Sequence, residues 1–411
     1  MKILMVSEFY PPYVGGAEQA VADLSAELSA RGHNVLVATL WHEGLARCEH
    51  QGSVVVHRMQ GATQRLPFVF NQPDRQFHPP VPDPLLVRQI ERLIAKEKPD
   101  VVHGHNWMML SALSTSHKRD FAAVATLNDY ALLCPKKSLL YHGAMPCSYY
   151  LSSHCLLCAR DQYGMVKGLL ITAGLQAGRR VYRNIDAFIA ISSYVAEVHA
   201  RDAVMAGSHI VTIPNFVREE VTHRGPGSPL PYLPDDYILF VGQLSRHKGL
   251  HVLLDAYGSL HTPVPLVLIG PVQLDTPTSL PSGVMMYPGQ PHEDVLRAMD
   301  HCRFLVSPAL WPEPFGLVAI EAMARGKAVI ASRAGGMLDI VQDGRTGLLV
   351  TPGNATALTA ALRQLLDDSA QATRMGRAGA MACAANYSAA NVVERVLNVY
   401  QDARLRAIHR G

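Results

Sequence analysis

Residues 304–324 read FLVSPALWPEPFGLVAIEAMA, and this stretch indicates both a fold and a site. The run before Pro308 is typical of a short buried strand, the prolines that follow exclude regular structure, and a helix is predicted to begin near Gly316. Glu313 lies in the loop, and Glu321 lies on an otherwise apolar helix face. Eight helical residues span about 12 Å, which is comparable to the distance from sugar to ribose in a nucleotide sugar. A carboxylate on an apolar face needs hydrogen-bond partners, which either sugar hydroxyls or a structural contact would supply.

Strand-like and helix-like runs alternate along the chain on both sides of this stretch. The alternation predicts an α/β fold of two Rossmann-like, doubly wound domains facing a central cleft. Helices are predicted over 17–31, 250–260 and 389–408 and from Gly316 onward. The predicted strands are 2–7, 35–39, 54–58, 101–105, 186–191 and 210–213 in the first half, and 237–241, 266–269, 284–287, 304–307 and 328–331 in the second.

The segment 221–234, VTHRGPGSPLPYLP, is too rich in proline and glycine for a helix or a strand. We therefore predict that it links the two domains. The N-terminal domain would cover residues 1–220, with a cysteine-rich insertion near 134–158, and the C-terminal domain would cover 235–388. The last helix, within 389–411, is predicted to pack back across the linker onto the N-terminal domain.

Length and composition exclude several classes of protein. The chain has 411 residues, 48% of them apolar and 17% charged, which suits two globular domains and excludes wholesale disorder. The formal net charge of +3 is spread along the chain, so no nucleic-acid partner is expected. The first apolar run meets Glu8 too early for a signal peptide, and no run of about 18 apolar residues occurs. We expect a cytoplasmic protein.

A glycine-bounded loop in the second half carries two cations. The run from Gly242 through Gln243, Arg246 and Lys248 to Gly249 connects a predicted strand to a predicted helix. Cations beside a helix N-terminus suit a diphosphate. A solvated basic loop is the alternative, and the spacing is not that of a nucleotide-hydrolysing P-loop.

A second pair of glycines, Gly15 and Gly16, follows the first strand and precedes a helix. Backbone amides at such a place can approach an anion, although a tight strand-to-helix turn explains the pair equally well. The pattern is not Gly-x-Gly-x-x-Gly, and no acidic residue follows the second strand. A nicotinamide cofactor is therefore disfavoured.

Four of the seven cysteines fall within one short segment, with two histidines, His142 and His154, between them. Four thiolates would satisfy a tetrahedral structural zinc, and the last pair has the Cys-x2-Cys spacing of many such sites. Reduced cysteines packed in a core are the alternative. The candidate ligands are Cys134, Cys147, Cys155 and Cys158.

Taken together, these motifs resemble glycosyltransferase family 4. The resemblance rests on Glu313-x7-Glu321, the loop 242–249, the turn at Gly15 and Gly16, and the glycine-rich runs at 335–339 and 343–350, and it extends from residue 1 to about 387. It implies the two-domain GT-B fold and a hexosyltransferase that retains anomeric configuration without a cofactor or metal for catalysis.

The resemblance also implies roles for individual residues. Glu313 would contact the donor sugar, Glu321 the nucleotide ribose and Lys248 the diphosphate. Backbone amides around Phe315, Gly316 and Leu317 would help to hold sugar and phosphate at the helix N-terminus.

Two positions depart from the family pattern. Gln243 stands where family members commonly have arginine, and Arg246 is expected to supply that charge. Asn128 stands where the family often has a histidine that reaches the donor sugar, so it can hydrogen-bond a hydroxyl but carries no charge. His103 and His105, at the end of a strand, are either part of the same site or satisfied within the fold.

The predicted function is transfer of a sugar from a nucleotide-sugar donor to an acceptor hydroxyl, in cell-surface polysaccharide or glycoconjugate biosynthesis. A GT-B epimerase or phosphorylase and a nonenzymatic nucleotide-sugar-binding protein are the alternatives. The acceptor would be a sugar, a lipid-linked glycan or another hydroxyl compound. The stretch Tyr163 to Arg183 either rests on the inner face of a membrane or forms a buried helix with basic ends, and the second interpretation is preferred.

Overall fold

A computed structural model describes residues 1–13, 15–65, 76–114, 120–143, 145–147, 153–223 and 227–408. Its internal contacts divide the chain into two compact units. The first unit comprises Met1–His142, Cys147–Ile213 and Val393–Gly411, and the second comprises Gly143–Pro146 and Pro214–Val392. Each unit has its own sheet, as the alternation of strands and helices predicts.

An eight-stranded sheet forms the centre of the first unit, in the order β10-β9-β6-β5-β1-β2-β4-β3. All neighbours are parallel except β3 and β4. Five central strands are almost wholly buried and mainly apolar, as expected where helices cover both faces of a parallel sheet, although β5 contains the buried His103 and His105. The strands are β1 (Lys2–Ser7), β2 (Asn34–Leu40), β3 (Cys48–Gln51), β4 (Val54–Met59), β5 (Val101–His105), β6 (Ala122–Leu127), β9 (Ala187–Ala190) and β10 (Ile210–Thr212).

The second unit contains a six-stranded, wholly parallel sheet in the order β13-β12-β11-β14-β15-β16. This is the strand order of a dinucleotide-binding Rossmann sheet, in which the direction of winding reverses between β11 and β14. Phe240, Leu268 and Phe304 are fully buried at its centre. The strands are β11 (Ile238–Val241), β12 (Leu266–Ile269), β13 (Val284–Tyr287), β14 (Phe304–Ser307), β15 (Ala328–Ser332) and β16 (Gly347–Val350).

Helices follow the strands in both units, and the two-residue strands β7 (Leu140–Tyr141) and β8 (Met145–Pro146) lie in the cysteine-rich segment. The helices are α1 (Gly16–Ala30), α2 (Pro84–Glu97), α3 (Met108–Leu113), α4 (Ser153–Tyr163), α5 (Met165–Gly178), α6 (Ser193–Ala200), α7 (Glu219–His223), α8 (Leu250–Gly258), α9 (His292–His301), α10 (Leu317–Ala324), α11 (Met337–Ile340), α12 (Ala355–Asp367), α13 (Ser369–Asn386) and α14 (Ala389–Ile408).

The boundaries between the two units lie at other residues than the predicted domain ends. The first unit ends at Ile213 rather than at 220, and the predicted linker 221–234 belongs to the second unit, where its start is part of α7. Arg218 to Val221 form a turn closed by a backbone hydrogen bond of 2.9 Å, so a helix begins before the first proline of that segment. The last helix passes from the second unit to the first between Val392 and Val393.

Helix α5 is not the buried helix that the preferred interpretation of Tyr163 to Arg183 expects. Its buried positions are Gly168, Thr172, Leu175 and Gly178, and a Cβ at Gly178 would lie 2.5 Å from the carbonyl oxygen of Pro80. This face packs closely against the fold, and four large apolar side chains of the first two turns point outward. Met165, Val166, Leu169 and Leu170 are between 51% and 70% exposed.

A membrane-spanning helix is absent from the part of the chain that the structure describes, because none of its helices combines sufficient length with sufficient apolar character.

Candidate active site

Two loops of the second unit meet where its sheet changes direction. One follows β11 and contains Gly242 to Gly249, and the other follows β14 and contains Pro308 to Gly316. Ligands of open parallel sheets bind outside the carboxyl ends of the strands at such a switch point. The topology therefore places both predicted donor-binding loops at the expected crevice of one unit.

Close backbone contact joins the two loops. Gly249 has a φ of 78° and caps the start of α8, and a Cβ at this position would lie 1.9 Å from the carbonyl oxygen of Pro308. The backbone amide of Leu310 donates to the carbonyl of His247 at 2.9 Å. Only glycine fits this approach, so the residue that ends the basic loop also fixes the loop that carries Glu313.

Lys248 and Glu313 form the centre of the site. Lys248 Nζ donates to Glu313 Oε2 at 2.7 Å, and the two side chains are 23% and 15% exposed. Trp311 Nε1 donates to the same oxygen at 2.9 Å, and Lys248 Nζ lies 5.1 Å from the centre of the Trp311 ring. The arrangement holds one cation and one carboxylate together at the end of β14, where both remain partly open to a ligand.

A second glycine turn, Gly335–Gly336, packs against the backbone of the Glu313 loop. Gly336 N donates to the carbonyl of Glu313 at 2.7 Å. A Cβ at Gly335 would lie 2.3 Å from that same carbonyl oxygen, and a Cβ at Gly336 would lie 2.6 Å from the carbonyl oxygen of Pro314. The two glycines in the sequence motif before α11 therefore allow a backbone contact that positions Glu313.

Helix α10 begins at this loop with a glycine in a strained conformation. Gly316 precedes the helix with a φ of 129°, and a Cβ there would lie 2.7 Å from Met337 Cε. Phe315 is buried against the ring of Tyr387, and Leu317 starts the helix. The amide of Ala319 donates to the Gly316 carbonyl at 2.9 Å. The amides of Leu317 and Val318 precede the first hydrogen bond of the helix and can face an anion at this end.

Glu321 lies in the second turn of α10, separate from the Lys248–Glu313 pair. His292 Nε2 and Glu321 Oε1 are 2.9 Å apart, and the Glu321 side chain is 18% exposed. The structure thus supplies a hydrogen-bond partner for this carboxylate within the protein. The contact also leaves part of the carboxylate accessible to a ligand.

The remaining predicted residues of the basic loop lie at its surface. Gln243 is exposed, and its carbonyl accepts from the backbone amide of Ser245 at 2.9 Å. The backbone amide of Arg246 donates to Asp275 at 2.7 Å, whereas its exposed guanidinium forms no ion pair within the described part of the chain. Gly242 has a φ of 146°, and its carbonyl oxygen lies 1.9 Å from where a Cβ of Gly270 would be.

In the first unit, a glutamate lies against the glycine pair at the start of α1. Glu18 Oε2 lies 2.1 Å from where a Cβ of Gly15 would be, and Gly16 is the first residue of the helix. An acidic side chain in the first turn is favourable at a helix N-terminus. A donor anion that used these amides would have to displace or share this carboxylate.

Asn128, which follows β6, contacts one of the two strand-end histidines. Its amide Nδ2 donates to His105 Nδ1 at 3.1 Å, so the hydrogen of this neutral imidazole is on Nε2. His105 Nε2 is buried without a partner among the described residues, and burial lowers the pKa of His105 to about 3. By contrast, both ring nitrogens of His103 have hydrogen-bond partners. Nδ1 lies 2.7 Å from the Tyr400 hydroxyl, and Nε2 lies 2.7 Å from Thr126 Oγ1.

A buried charged cluster that no sequence motif predicted lies next to these residues. Glu8, at the end of β1, accepts from the backbone amide of Trp107 at 2.8 Å and lies 3.8 Å from Lys137 Nζ. Burial raises the pKa of Glu8 and that of Asp129, while Lys137 opposes both shifts. Lys137 Nζ also lies 4.0 Å from the centre of the Trp107 ring.

Three further residues of the second-unit site were not predicted from the sequence: His247, Trp311 and His292. His247 lies between Arg246 and Lys248, and burial followed by the charge of Lys248 lowers its pKa. A signal for Trp311 was present, because it stands two residues before Glu313 in the same loop. No signal pointed to His292, which is 29 residues from Glu321 along the chain.

All four candidate zinc ligands line one cavity of the first unit. Cys134, Cys147, Cys155 and Cys158 surround it together with His154. Burial raises the pKa of the Cys134 thiol, and backbone hydrogen bonds from Leu139, Lys136 and Ser138 oppose that shift. The His142 amide donates to Cys158 Sγ at 3.2 Å. Within the described ranges, however, no three His, Cys, Asp or Glu side chains stand close enough together to share a metal ion.

Two units built on parallel sheets, one of them with a Rossmann strand order and a lysine and two glutamates at its switch point, define a GT-B glycosyltransferase. The model of "Glycosyltransferase Family 4" matches residues 14–221, and that of "Glycosyl transferases group 1" matches residues 227–381. The chain belongs to glycosyltransferase family 4 and is a hexosyltransferase-type enzyme.

Two relatives and one solved structure are similar to this chain over most of their length. The chain is 27% identical to a glycogen synthase of Mycobacterium tuberculosis, over 98% of this chain and 95% of that protein. It is 25% identical to an uncharacterized 42.6 kDa protein in the cps region of Klebsiella pneumoniae, over 83% and 87% of the two chains. The crystal structure of Anabaena Alr3699/HepE in complex with UDP-glucose superposes with a TM-score of 0.67, at 17% identity over 98% and 99% of the chains.

Proposed function

We propose that this chain transfers a hexosyl group from a nucleotide-sugar donor to an acceptor hydroxyl with retention of anomeric configuration. The observation that carries the proposal is the 2.7 Å contact of Lys248 with Glu313 at the start of α10. The complex of a structural neighbour with UDP-glucose supports a nucleotide-sugar donor.

The proposed chemistry breaks the bond from the anomeric carbon to the diphosphate oxygen, and both electrons leave with the diphosphate. Lys248, Arg246 and the first amides of α10 would stabilise the negative charge that accumulates there. Glu313 would face the sugar, where positive charge develops as the bond breaks. The acceptor oxygen then forms the new bond to the anomeric carbon, and its proton passes to the departing phosphate.

The other site residues would hold the donor in place. Glu321 would accept hydrogen bonds from ribose hydroxyls, and Asn128 would bind a sugar hydroxyl. Gly15, Gly16, Gly242 and Gln243 would contact the donor through their backbones. No metal is required in this scheme, because protein cations and oriented amides neutralise the leaving group.

The acceptor is proposed to be a lipid-linked or growing surface glycan. A relative in a cps region supports a role in cell-surface polysaccharide or glycoconjugate synthesis. The exposed apolar residues of α5 support contact with a membrane surface, together with exposed Arg180 and Arg183. A cytoplasmic location at the inner membrane face stays a prediction.

The proposal is tested with a panel of nucleotide sugars and an extract of candidate acceptors. Release of free nucleotide should require both a matching donor and an acceptor, which separates transfer from epimerisation and from simple binding. The anomeric coupling constant of the isolated product, measured by NMR, should equal that of the donor. Nucleotide release without any acceptor-dependent product would overturn the proposal.

A further inference from the structure

A chain of hydrogen bonds in the second unit ends on the Glu321 carboxylate. Arg218 Nη2 lies 3.1 Å from His292 Nδ1, and His292 Nε2 lies 2.9 Å from Glu321 Oε1. The three residues come from three segments: the turn before α7, the first residue of α9 and the second turn of α10. Their separations of 74 and 29 residues show that the fold assembles them.

The chemistry of the two end groups fixes the imidazole between them. A guanidinium has only hydrogen-bond donors, so His292 Nδ1 must accept from Arg218. The hydrogen of the neutral ring is therefore on Nε2, which donates to Glu321 Oε1. The donor Arg218 thus faces an acceptor nitrogen, and the acceptor Glu321 faces a donor nitrogen. The ring therefore holds the carboxylate in one orientation.

Backbone and ring contacts hold the Arg218 end of this hydrogen-bond series in place. Val217, next to Arg218, donates its backbone amide to the carbonyl of Tyr387 at 2.9 Å. The Tyr387 ring contacts Phe315, one residue before Gly316 and α10. The position of Arg218 is thus tied to the same part of the fold as the loop that carries Glu313.

The contact with His292 leaves Glu321 able to bind a diol. Each carboxylate oxygen has two lone pairs, so Oε2 and the second lone pair of Oε1 remain available. Two ribose hydroxyls offer two donors at a fixed spacing. A carboxylate that is already held in one orientation loses less conformational entropy when it accepts both of them.

We propose that His292, held by Arg218, is a positioning residue that aims Glu321 at the 2′- and 3′-hydroxyls of the donor and makes the site select ribonucleotides over 2′-deoxyribonucleotides. This inference rests on the proposed function, in which Glu321 binds the ribose. A 2′-deoxy ligand leaves one carboxylate lone pair without its donor, and the cost is larger when the carboxylate cannot turn away.

The test measures binding of ADP, GDP and UDP and of their 2′-deoxy counterparts to the full chain by calorimetry. Wild-type protein should bind its preferred ribonucleotide about tenfold or more tightly than the deoxy form. His292→Leu should raise the Kd of the ribonucleotide about tenfold and that of the deoxy form much less, so that the preference is lost. His292→Gln keeps a donor for Glu321 and an acceptor for Arg218, and it should retain most of the preference.

Steady-state kinetics add a second readout. His292→Leu should raise the donor KM while kcat at saturating donor stays within about twofold, because the ribose contact changes little during sugar transfer. His261, exposed in the same unit, provides a matched control, and His261→Asn should leave both Kd values unchanged. Circular dichroism shows whether each variant is folded.

Glu321→Gln separates the two ways in which the inference can fail. If Glu321→Gln weakens ribonucleotide binding but His292→Leu does not, or if His292→Gln behaves like His292→Leu, then the positioning role is wrong and the ribose contact stands. If Glu321→Gln leaves binding unchanged, or if wild-type protein binds none of the six nucleotides, the ribose contact is wrong and the positioning role falls with it.

Discussion

Lys248 Nζ and Glu313 Oε2 lie 2.7 Å apart although 65 residues separate them in the sequence. The two groups form an ion pair in which both side chains are still partly exposed. A donor diphosphate would compete with Glu313 for Lys248, and the freed carboxylate would then face the sugar. The pair would then couple binding of the leaving group to exposure of the carboxylate.

Removal of either member of this pair should slow turnover. Lys248→Ala should lower kcat about 100-fold and raise the donor KM much less, because the charge matters most as the diphosphate departs. Glu313→Ala should lower kcat comparably, and the double variant should be little worse than either single one. Initial rates across a donor series measure this. Lys96→Ala, at a side chain that is 75% exposed, is the control. Wild-type kcat in both single variants would contradict the assigned site.

Trp311 should contribute through its hydrogen bond to Glu313. Trp311→Phe removes the indole N–H that donates to Oε2 but keeps an aromatic ring near Lys248. Loss of one hydrogen bond to a charged carboxylate costs about 1.5–3 kcal/mol, so kcat should fall about tenfold or more. Single-turnover rates at saturating donor test this expectation. An unchanged rate would mean that Lys248 alone orients Glu313.

Acid should destabilise the first unit through its buried histidines. Burial lowers the pKa of His78, His105 and His199 to about 4, about 3 and about 4, against about 6.5 in an unfolded chain. Between the folded and the unfolded pKa values, the unfolded state binds more protons than the folded state. The free energy of unfolding is therefore highest above pH 6.5 and decreases as the pH falls toward 4. Each histidine contributes a slope of up to about 1.4 kcal/mol per pH unit.

Urea unfolding at pH 7.5, 6.5 and 5.5 measures this slope. His199→Leu removes one of the three groups and should reduce the slope by about one proton equivalent. A stability that rises toward pH 5.5, or an unchanged slope in the variant, would show that these imidazoles do not control the acid response.

Zinc at the cysteine cluster stays a prediction. The four sulfurs line one cavity but would have to move closer together to share an ion. Burial raises the pKa of the Cys134 thiol, and three backbone hydrogen bonds oppose that shift. Protein purified without chelator should carry about one zinc per chain, and Cys155→Ser should lose it, whereas Cys48→Ser should not. Zinc near zero, with all four thiols freely titratable, would leave reduced cysteines as the correct interpretation.

Membrane contact should depend on the outward face of α5. Val166→Ser with Leu170→Ser removes two side chains that are 70% and 65% exposed. Wild-type protein should sediment with phosphatidylglycerol vesicles, whereas most of the double variant should stay in the supernatant. Phosphatidylcholine vesicles should bind both proteins weakly. Leu274→Ser, at a fully exposed leucine of the second unit, is the matched control. Equal sedimentation of wild type and double variant would rule out this face.

The sequence predicted those parts of the fold that local pattern controls. The buried strands Lys2–Ser7, Leu266–Ile269 and Phe304–Ser307 and the last helix, Ala389–Ile408, have the predicted bounds. Residue spacing also placed Glu313 in a loop and Glu321 on a helix. These features depend on periodicity and on proline, which act within a few residues.

Other parts of the site depend on contacts between distant segments. Nothing in the local sequence shows that Lys248 would pair with Glu313, or that His292 would reach Glu321. The exposure of α5 was also mispredicted, because a run of apolar residues does not reveal which side packs on the fold. Gly168 and Gly178 decide that question, since they permit the close contact that turns the larger residues outward.

The position of Trp311 gives the protein an intrinsic reporter. The chain contains three tryptophans, and Trp41 and Trp107 both belong to the first unit. If these two are replaced by phenylalanine, all indole fluorescence originates beside Lys248 and Glu313. Donor occupancy could then be followed by light emission in real time, without a radiolabel or a coupled assay.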